Sequence, residues 1–157
     1  MRIVVTEDSQ AMDIDQISEK TEIDMGKTLE AIGYPKLLPY LENVLFNTAS
    51  RYSQQYNGGR WKFVVNPSNE CCPNPFLAFV LMSDKEFTVD NPNGMCTETL
   101  STEEFSVLVS TVTNLTLQNQ IATTPSIPDE SQLEHLFYDG YHGGRGEASS
   151  TVAHILD

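Results

Sequence analysis

The stretch that decides the fold of this chain is Tyr56-Asn57-Gly58-Gly59-Arg60-Trp61-Lys62-Phe63. An apolar stripe at helical spacing leads into it and consists of Leu41, Val44, Leu45, Ala49 and Tyr52. Two glycines then supply positive-φ positions of the kind that end a helix. After them, Trp61, Phe63 and Val65 alternate as in a half-buried strand. The stretch is therefore predicted to be a corner of the fold between a helix and a strand, and not a glycine-rich ligand loop.

The segments beyond this corner predict a small sheet. The run from Phe76 to Met82 is short and continuously apolar, as in a strand that is buried on both faces. A further strand, Phe87 to Val89, follows after a tight turn. Because short connections favour pairing between neighbours in sequence, these strands and the one at Trp61 are expected to form an antiparallel meander.

Capping signals locate the helices that follow. Ser101 and Glu104 have the spacing of a capping box, and an apolar helical period comes after them. Ser131 and Glu134 repeat this spacing and predict a second helix. Glycines should fray or break that second helix, at about 1 kcal/mol each relative to alanine. They are Gly140, Gly143, Gly144 and Gly146. A last short helix is predicted over about Ser150 to Leu156.

The N-terminal part of the chain has a weaker pattern. Residues 1–36 are interpreted as an acidic N-terminal extension, and the pattern leaves open whether the extension is ordered. Within it, Arg2 to Val5 could add a short edge strand. Residues 37–157 are interpreted as the folded domain. We expect the α+β class, with a small antiparallel sheet of about three strands packed with about four helices in a single compact domain.

The charge of the chain limits its function. The 157 residues include 22 acidic and 9 basic side chains, which gives a net charge of −13. A protein that binds nucleic acid directly needs a basic surface, so direct nucleic-acid binding is not expected. The charge favours a cationic partner or simply high solubility. No apolar run is long enough to cross a membrane, and the odd number of cysteines favours the cytoplasm.

Catalytic and metal-binding patterns are weak. His135, His142 and His154 do not form a His-x-x-x-His pair, and ordinary helix positions explain them better than a metal site. Gly58 and Gly59 precede a strand, whereas a phosphate-binding loop follows a strand and opens a helix. No serine or cysteine has an evident base partner. The sequence therefore predicts neither an enzyme nor a cofactor or metal site.

One half of the sequence is uniformly negative. No lysine or arginine occurs between Lys85 and Arg145. The candidate acidic interaction surface is drawn from this region and consists of Glu98, Glu103, Glu104, Asp129, Glu130, Glu134 and Asp139. Several of these acids lie at predicted helix N-termini, where the helix dipole already favours a negative charge. A structural role and a role in binding both remain open for them.

From about Leu37 to Asp157 the sequence resembles the antirestriction proteins of the ArdB/KlcA family, in three places. The first is the stretch at Tyr56, and the second is an Asn-Gly turn leading to a serine-capped helix. The third is a tyrosine/arginine helix with a closing Ile-x-Asp. The residues that carry the likeness are Tyr56, Asn57, Gly58, Gly59, Trp61, Phe63, Asn93, Gly94, Ser101, Arg145 and Asp157. The chain departs from the family pattern where Gly143, Gly144 and Gly146 interrupt a helix that the family tends to continue.

The resemblance implies a non-catalytic inhibitor that protects incoming plasmid or phage DNA from host type I restriction enzymes in the cytoplasm. Its partner would be a host restriction-modification complex. Two modes remain open, namely DNA mimicry by the acidic half and a contact surface around Trp61 and the glycine turns. The same fold could also inhibit another defence system, such as a CRISPR effector, or serve as a non-catalytic acidic interaction module. For the motif residues, roles in turns and core compete with partner contact, and Arg145 with Asp157 is a candidate ion pair.

Overall fold

An antiparallel sheet lies at the centre of the computed structural model. The structure describes residues 2–91, 96–124 and 132–157, and within these ranges the sheet has the strand order β3 (Thr21–Ile23), β4 (Trp61–Asn66) and β5 (Phe76–Leu81). Trp61 lies opposite Leu81 and Phe63 lies opposite Phe79, so large apolar side chains are paired across the two longer strands. The strands predicted at Trp61 and Phe76 are confirmed.

The outer edge of β5 is closed by a helix, α3 (Thr102–Ala122). The hydroxyl oxygens of Ser106 and Ser110 accept hydrogen bonds from the main-chain N–H groups of Leu81 at 3.0 Å and Phe79 at 2.9 Å. The side-chain amide of Asn114 donates to the carbonyl oxygen of Leu77 at 3.2 Å. These three polar residues follow one another at intervals of four positions, so their side chains lie on one face of the helix.

This closed edge explains why the predicted meander is wrong in its third strand. β6 (Phe87–Asn91) does not pair with β5 but forms a separate hairpin with β7 (Cys96–Leu100). The third strand of the central sheet is β3, from the N-terminal segment, which pairs with the other side of β4. Short connections favoured a meander, but the side chains of α3 already occupy the N–H groups that a further strand would need.

The N-terminal segment belongs to the same core as the rest of the chain. It holds β1 (Ile3–Val5) and β2 (Ala11–Asp13), which pair with each other, a 3₁₀ turn (Ile14–Gln16), β3 and α1 (Met25–Ala31). The short strand predicted near Val5 is confirmed. The side chains of this segment that join the main hydrophobic core are Val4, Ile14, Ile17, Ile23, Met25 and Leu29. The predicted extension therefore supplies both an outer strand and part of the core of one α+β unit.

The helix predicted before the glycine corner is α2 (Leu37–Tyr52), and Arg51 lies in its last turn. Gly58 and Gly59 do have positive φ angles, of 102° and 138°, as the sequence predicts. The prediction that they end the helix is wrong, because α2 ends at Tyr52 and the N–H of Ser53 closes its last turn. The glycines instead turn the connecting loop into β4.

The helix caps follow the sequence closely. The hydroxyl of Ser101 accepts from the N–H of Glu104 at 3.1 Å, and the Glu104 carboxylate accepts from the N–H of Ser101 at 3.2 Å. This confirms the first capping box. Ser131, in the second predicted box, lies outside the described residues. The helix after it is α4 (Gln132–Glu147), and the last predicted helix is confirmed as α5 (Ser150–Leu156), capped by Ser149.

The glycines of α4 do not break the helix, which corrects the sequence prediction. A Cβ atom at Gly143 would overlap the ring of Phe76 on β5, and one at Gly144 would overlap the hydroxyl of Thr111 on α3. A Cβ atom at Gly140 would lie 2.5 Å from the side-chain amide of Asn114. The glycines thus let α4 lie directly against both neighbours, and this packing outweighs their low helix propensity.

Replacing Gly143 by alanine is expected to lower the free energy of unfolding by about 2 kcal/mol or more, although alanine is the better helix former by about 1 kcal/mol. The loss comes from the overlap with Phe76, which other buried side chains hold in place. Urea unfolding followed by circular dichroism measures the change.

Gly26→Ala in α1 is the matched control, because the added Cβ would approach only the flexible side chain of Leu38, at 3.3 Å, and the cap carboxylate of Asp24, at 3.4 Å. The control should keep or slightly raise the stability. Equal effects of the two substitutions would contradict the close packing of α4 on β5.

Candidate functional site

The motif residues at the glycine corner divide into a buried and an exposed group. The indole N–H of Trp61 donates to the hydroxyl of Tyr56 at 2.9 Å, and both side chains are buried. Phe63 is half-buried and meets Phe79 edge to face at 5.4 Å between ring centroids. These aromatic residues hold the corner to the core. Asn57, Gly58 and Gly59 are exposed, so this part of the motif is open to a partner.

The motif residues at the C-terminus form an ion pair. The guanidinium of Arg145, at the end of α4, lies 2.6 Å from the carboxylate of Asp157 at the end of α5. The hydrogen bond that Arg145 donates to Asp157 raises the pKa of Arg145 above its ordinary value. The ion pair suggested by the sequence is therefore present, and it connects the last two helices at the surface.

An aromatic stripe runs along the same outer face of α4. Tyr138 is exposed, and its ring lies 4.5 Å from that of His142 between centroids. The ring of Tyr141 lies 5.1 Å from the same imidazole. Because Tyr138, Tyr141, His142 and Arg145 follow at helical spacing, they share one side of the helix.

The candidate acids do not form one continuous array. Glu98 lies half-buried on β7, Glu103 is exposed in the first turn of α3, and Glu134 is half-buried in the first turn of α4. Four of the sequence candidates lie outside the described residues, namely the motif residues Asn93 and Gly94 and the acids Asp129 and Glu130.

Asp139 does not fit an interaction surface, because its side chain is buried. It forms an ion pair with Arg2, which also binds the carboxylate of Asp15 at 2.9 Å. Burial lowers the pKa of Arg2, but the hydrogen bonds that Arg2 donates to the two carboxylates outweigh that effect and raise the pKa above its ordinary value. Asp139 thus attaches the N-terminal segment to α4. No local pattern predicts this pair, since the two partners are 137 residues apart.

Glu104 also has a structural role. Its carboxylate accepts from the N–H of Ser101 and, at 2.8 Å, from the hydroxyl of Ser149, the cap residue of α5. The backbone hydrogen bond to Ser101, together with the bond from Ser149, lowers the pKa of Glu104 below its ordinary value. One carboxylate therefore joins the starts of two helices.

A groove of about 670 Å³ lies beside these helix ends. Its lining comes from the segment before β3, from β4 and β5, from the first half of α3 and from the end of α4. Apolar side chains line part of it, including Ala78, Val80 and Val107, and the acids along it are Glu19, Glu103 and Glu147. Sequence reasoning missed this site, because its residues are scattered over the chain and no single segment has a distinctive motif.

The described residues show neither a candidate metal site nor a candidate membrane span. They hold no group of three or more histidine, cysteine, aspartate or glutamate side chains that could bind a metal ion. None of the helices in the described ranges has the length and apolar character that a membrane span requires.

Comparison with known proteins gives a match in fold. No protein-family model and no curated protein matches the sequence. A solved structure does match, described as that of the KlcA and ArdB proteins, with "a novel fold and antirestriction activity against Type I DNA restriction systems in vivo but not in vitro". The alignment covers 93% of this chain and 99% of the other, with a TM-score of 0.58 and 16% sequence identity. This chain has the KlcA/ArdB fold.

The structural match extends over more of the chain than the resemblance in sequence does. Residues 37–157 make up 121 of the 157 positions, which is about 77% of the chain, whereas the alignment covers 93%. The KlcA/ArdB fold therefore includes part of the N-terminal segment, for which the sequence offered no counterpart. This agrees with the finding that β3 is one of the three strands of the central sheet.

The position of Glu104 predicts a pH-dependent contribution to stability. Because its pKa is lowered in the folded state, its stabilising effect is present above its ordinary pKa and is lost as the pH falls through the folded value. Glu104→Gln should therefore lower the free energy of unfolding at pH 7 by a few tenths to about 1 kcal/mol. The difference from the parent protein should shrink toward pH 3. Urea unfolding at several pH values measures it.

Glu103→Gln is the matched control, one residue away and exposed in the same helical turn. It should leave the stability nearly unchanged at both pH values. A Glu104→Gln effect that is constant from pH 7 to pH 3 would show that the charge of this carboxylate does not carry the stabilisation.

Proposed function

We propose that this protein is an antirestriction protein, which inhibits a host type I restriction system by non-covalent binding in the cytoplasm of the host cell. The observation that carries the proposal is the KlcA/ArdB fold, matched over nearly the full length of both chains. The motif resemblance supports it independently, because it was drawn from residues and not from backbone shape. The partner in this proposal is the restriction complex, and the protein does not bind DNA itself.

The roles of the motif side chains support inhibition without chemistry. Tyr56 and Trp61 are bound to each other inside the core, and Arg145 is paired with Asp157. Such residues maintain the shape of the protein. In the proposal, the exposed surface therefore does the binding, and the net charge of −13 speeds the encounter with a complex that normally holds DNA.

The activity of the structural neighbour bears on the mode of inhibition. An inhibitor that only filled a DNA-binding site would compete with DNA in a purified system as well as in a cell. The KlcA and ArdB proteins are described as active in vivo but not in vitro. For this chain we therefore favour a specific contact with a restriction complex over pure DNA mimicry, and we test the function in cells.

Expression of the protein should raise the plating efficiency of unmodified phage on a strain with a type I restriction system. The expected value approaches that on a restriction-deficient strain, because an inhibited enzyme leaves the phage DNA uncut. Strains that carry a single other defence system, such as a CRISPR effector, are plated in parallel with an empty-vector control. Protection confined to one of those strains would reject type I restriction as the target and support the alternative.

Neutralising the acidic half separates mimicry from a specific contact. The triple variant Glu98→Gln, Asp129→Asn and Glu130→Gln should retain most of the protection if a specific contact inhibits the enzyme. The matched control neutralises three exposed residues elsewhere, Glu30, Glu70 and Asp84, and so has the same net charge. A strong loss in the first variant alone would favour DNA mimicry by the acidic half. Plating efficiency in the type I strain is the measurement.

A further inference from the structure

The groove beside β5 is a surface feature that the motif residues do not explain. We call it the α3–β5 groove and define its apolar part by Ala78, Val80 and Val107 and its acidic part by Glu19, Glu103 and Glu147. Lys20 is the basic residue in its lining. Its volume of about 670 Å³ is in the range of sites that take a small ligand or several side chains of a partner.

The walls of this groove are fixed by hydrogen bonds and close packing. Ser106 and Ser110 line it and also bind the N–H groups of β5, so the helix cannot slide along the strand without breaking these bonds. Gly144 of α4, which also lines the groove, lies against Thr111 of α3. The carboxylate of Glu147 accepts from the side-chain amide of Asn69 at 3.2 Å. A preformed site of this kind loses little conformational entropy when a partner binds.

The charges of the groove indicate the chemistry of its occupant. Three exposed carboxylates, on Glu19, Glu103 and Glu147, face one exposed ammonium group, on Lys20. Nucleic acid would be repelled by this excess of negative charge. A bare cation would leave the apolar wall in water. A side chain or segment that is both apolar and positively charged satisfies both parts of the site, since arginine and lysine carry their charge on an apolar stem.

We propose that the α3–β5 groove binds a segment of the partner protein in which an apolar side chain is flanked by arginine or lysine. The identity of that partner as a restriction complex rests on the proposed function, whereas the chemistry of the site does not. In this arrangement the apolar side chain packs against Val80 and Val107. The flanking cations pair with Glu103 and Glu147 at the two helix ends.

A peptide titration tests the groove without any assumption about the partner. The probe is the acetylated and amidated peptide Arg-Leu-Arg, added at millimolar concentration to the ¹⁵N-labelled protein, with Glu-Leu-Glu as the matched control peptide. Shift changes centred on residues of the groove, such as Val80 and Val107, are expected with the basic peptide alone. Changes spread over other acidic surfaces, or no changes at all, would overturn the proposal.

Charge reversal at the two helix ends sharpens this titration. The double variant Glu103→Lys and Glu147→Lys should raise the Kd of the basic peptide by about tenfold or more. The matched control, Glu30→Lys and Glu70→Lys, has the same net charge but alters exposed residues that do not line the groove, and it should bind as the parent does. Urea unfolding of each variant shows whether the fold is retained. Equal weakening in a folded control would reduce the effect to net charge and overturn the site.

The same two variants are then compared by plating efficiency in the type I strain. The groove variant should lose protection and the control should keep it. If the parent protein itself fails to protect, the proposed function fails, and the peptide titration still decides whether the groove is a binding site. Full protection by the folded groove variant would overturn the role of the groove in inhibition. A dimer of the parent protein that Glu103→Lys and Glu147→Lys dissociate would assign the groove to a second copy of this chain and overturn the partner segment.

Discussion

The contact of α3 with the edge of β5 is the constraint on which the rest of the structure depends. Ser106, Ser110 and Asn114 replace a neighbouring strand by binding the main chain of β5 with their side chains. An open strand edge would invite pairing with another chain, and these bonds prevent it there. They also affect the topology, because the edge of β5 is not available to the strand that follows it in the chain.

The glycines of α4 extend this constraint to a second helix. Since Gly140 and Gly144 have no side chains, α4 can approach α3, and Gly143 lets it reach Phe76 on β5. The N-terminal segment is then attached to α4 by the pair of Arg2 with Asp139 and by the side chain of Gln132, which donates to the carbonyl oxygen of Ile3. These contacts thus hold together β5, α3, α4 and the N-terminal segment. The α3–β5 groove lies where β5, α3 and the end of α4 meet.

Local signals in the sequence predicted much of this fold. The capping box of Ser101 and Glu104 depends on neighbouring residues, and the alternation after Trp61 reports a strand directly. The failure at Gly58 and Gly59 concerns where a helix ends, whereas the other failures involve distant partners. The low helix propensity of Gly143 is a local property, whereas the close packing that Gly143 allows is with Phe76, which is far away in the sequence. Asp139 looked like a surface acid because its partner, Arg2, is at the other end of the chain. The groove could not be predicted for the same reason, since five separate parts of the chain line it.

The motif residues maintain a fold that this chain shares with the KlcA/ArdB structure at 16% identity. Tyr56 and Trp61 bind each other in the core, and Arg145 with Asp157 joins two helices, so these residues constrain the shape of the protein. The exposed carboxylates of Glu103 and Glu147 take no part in these two contacts. In the proposed function, the motif side chains that carry the family resemblance are therefore different from the side chains that bind the partner. In this proposal, target choice depends on surface residues such as Glu103 and Glu147, on which the resemblance of sequence gives the least information.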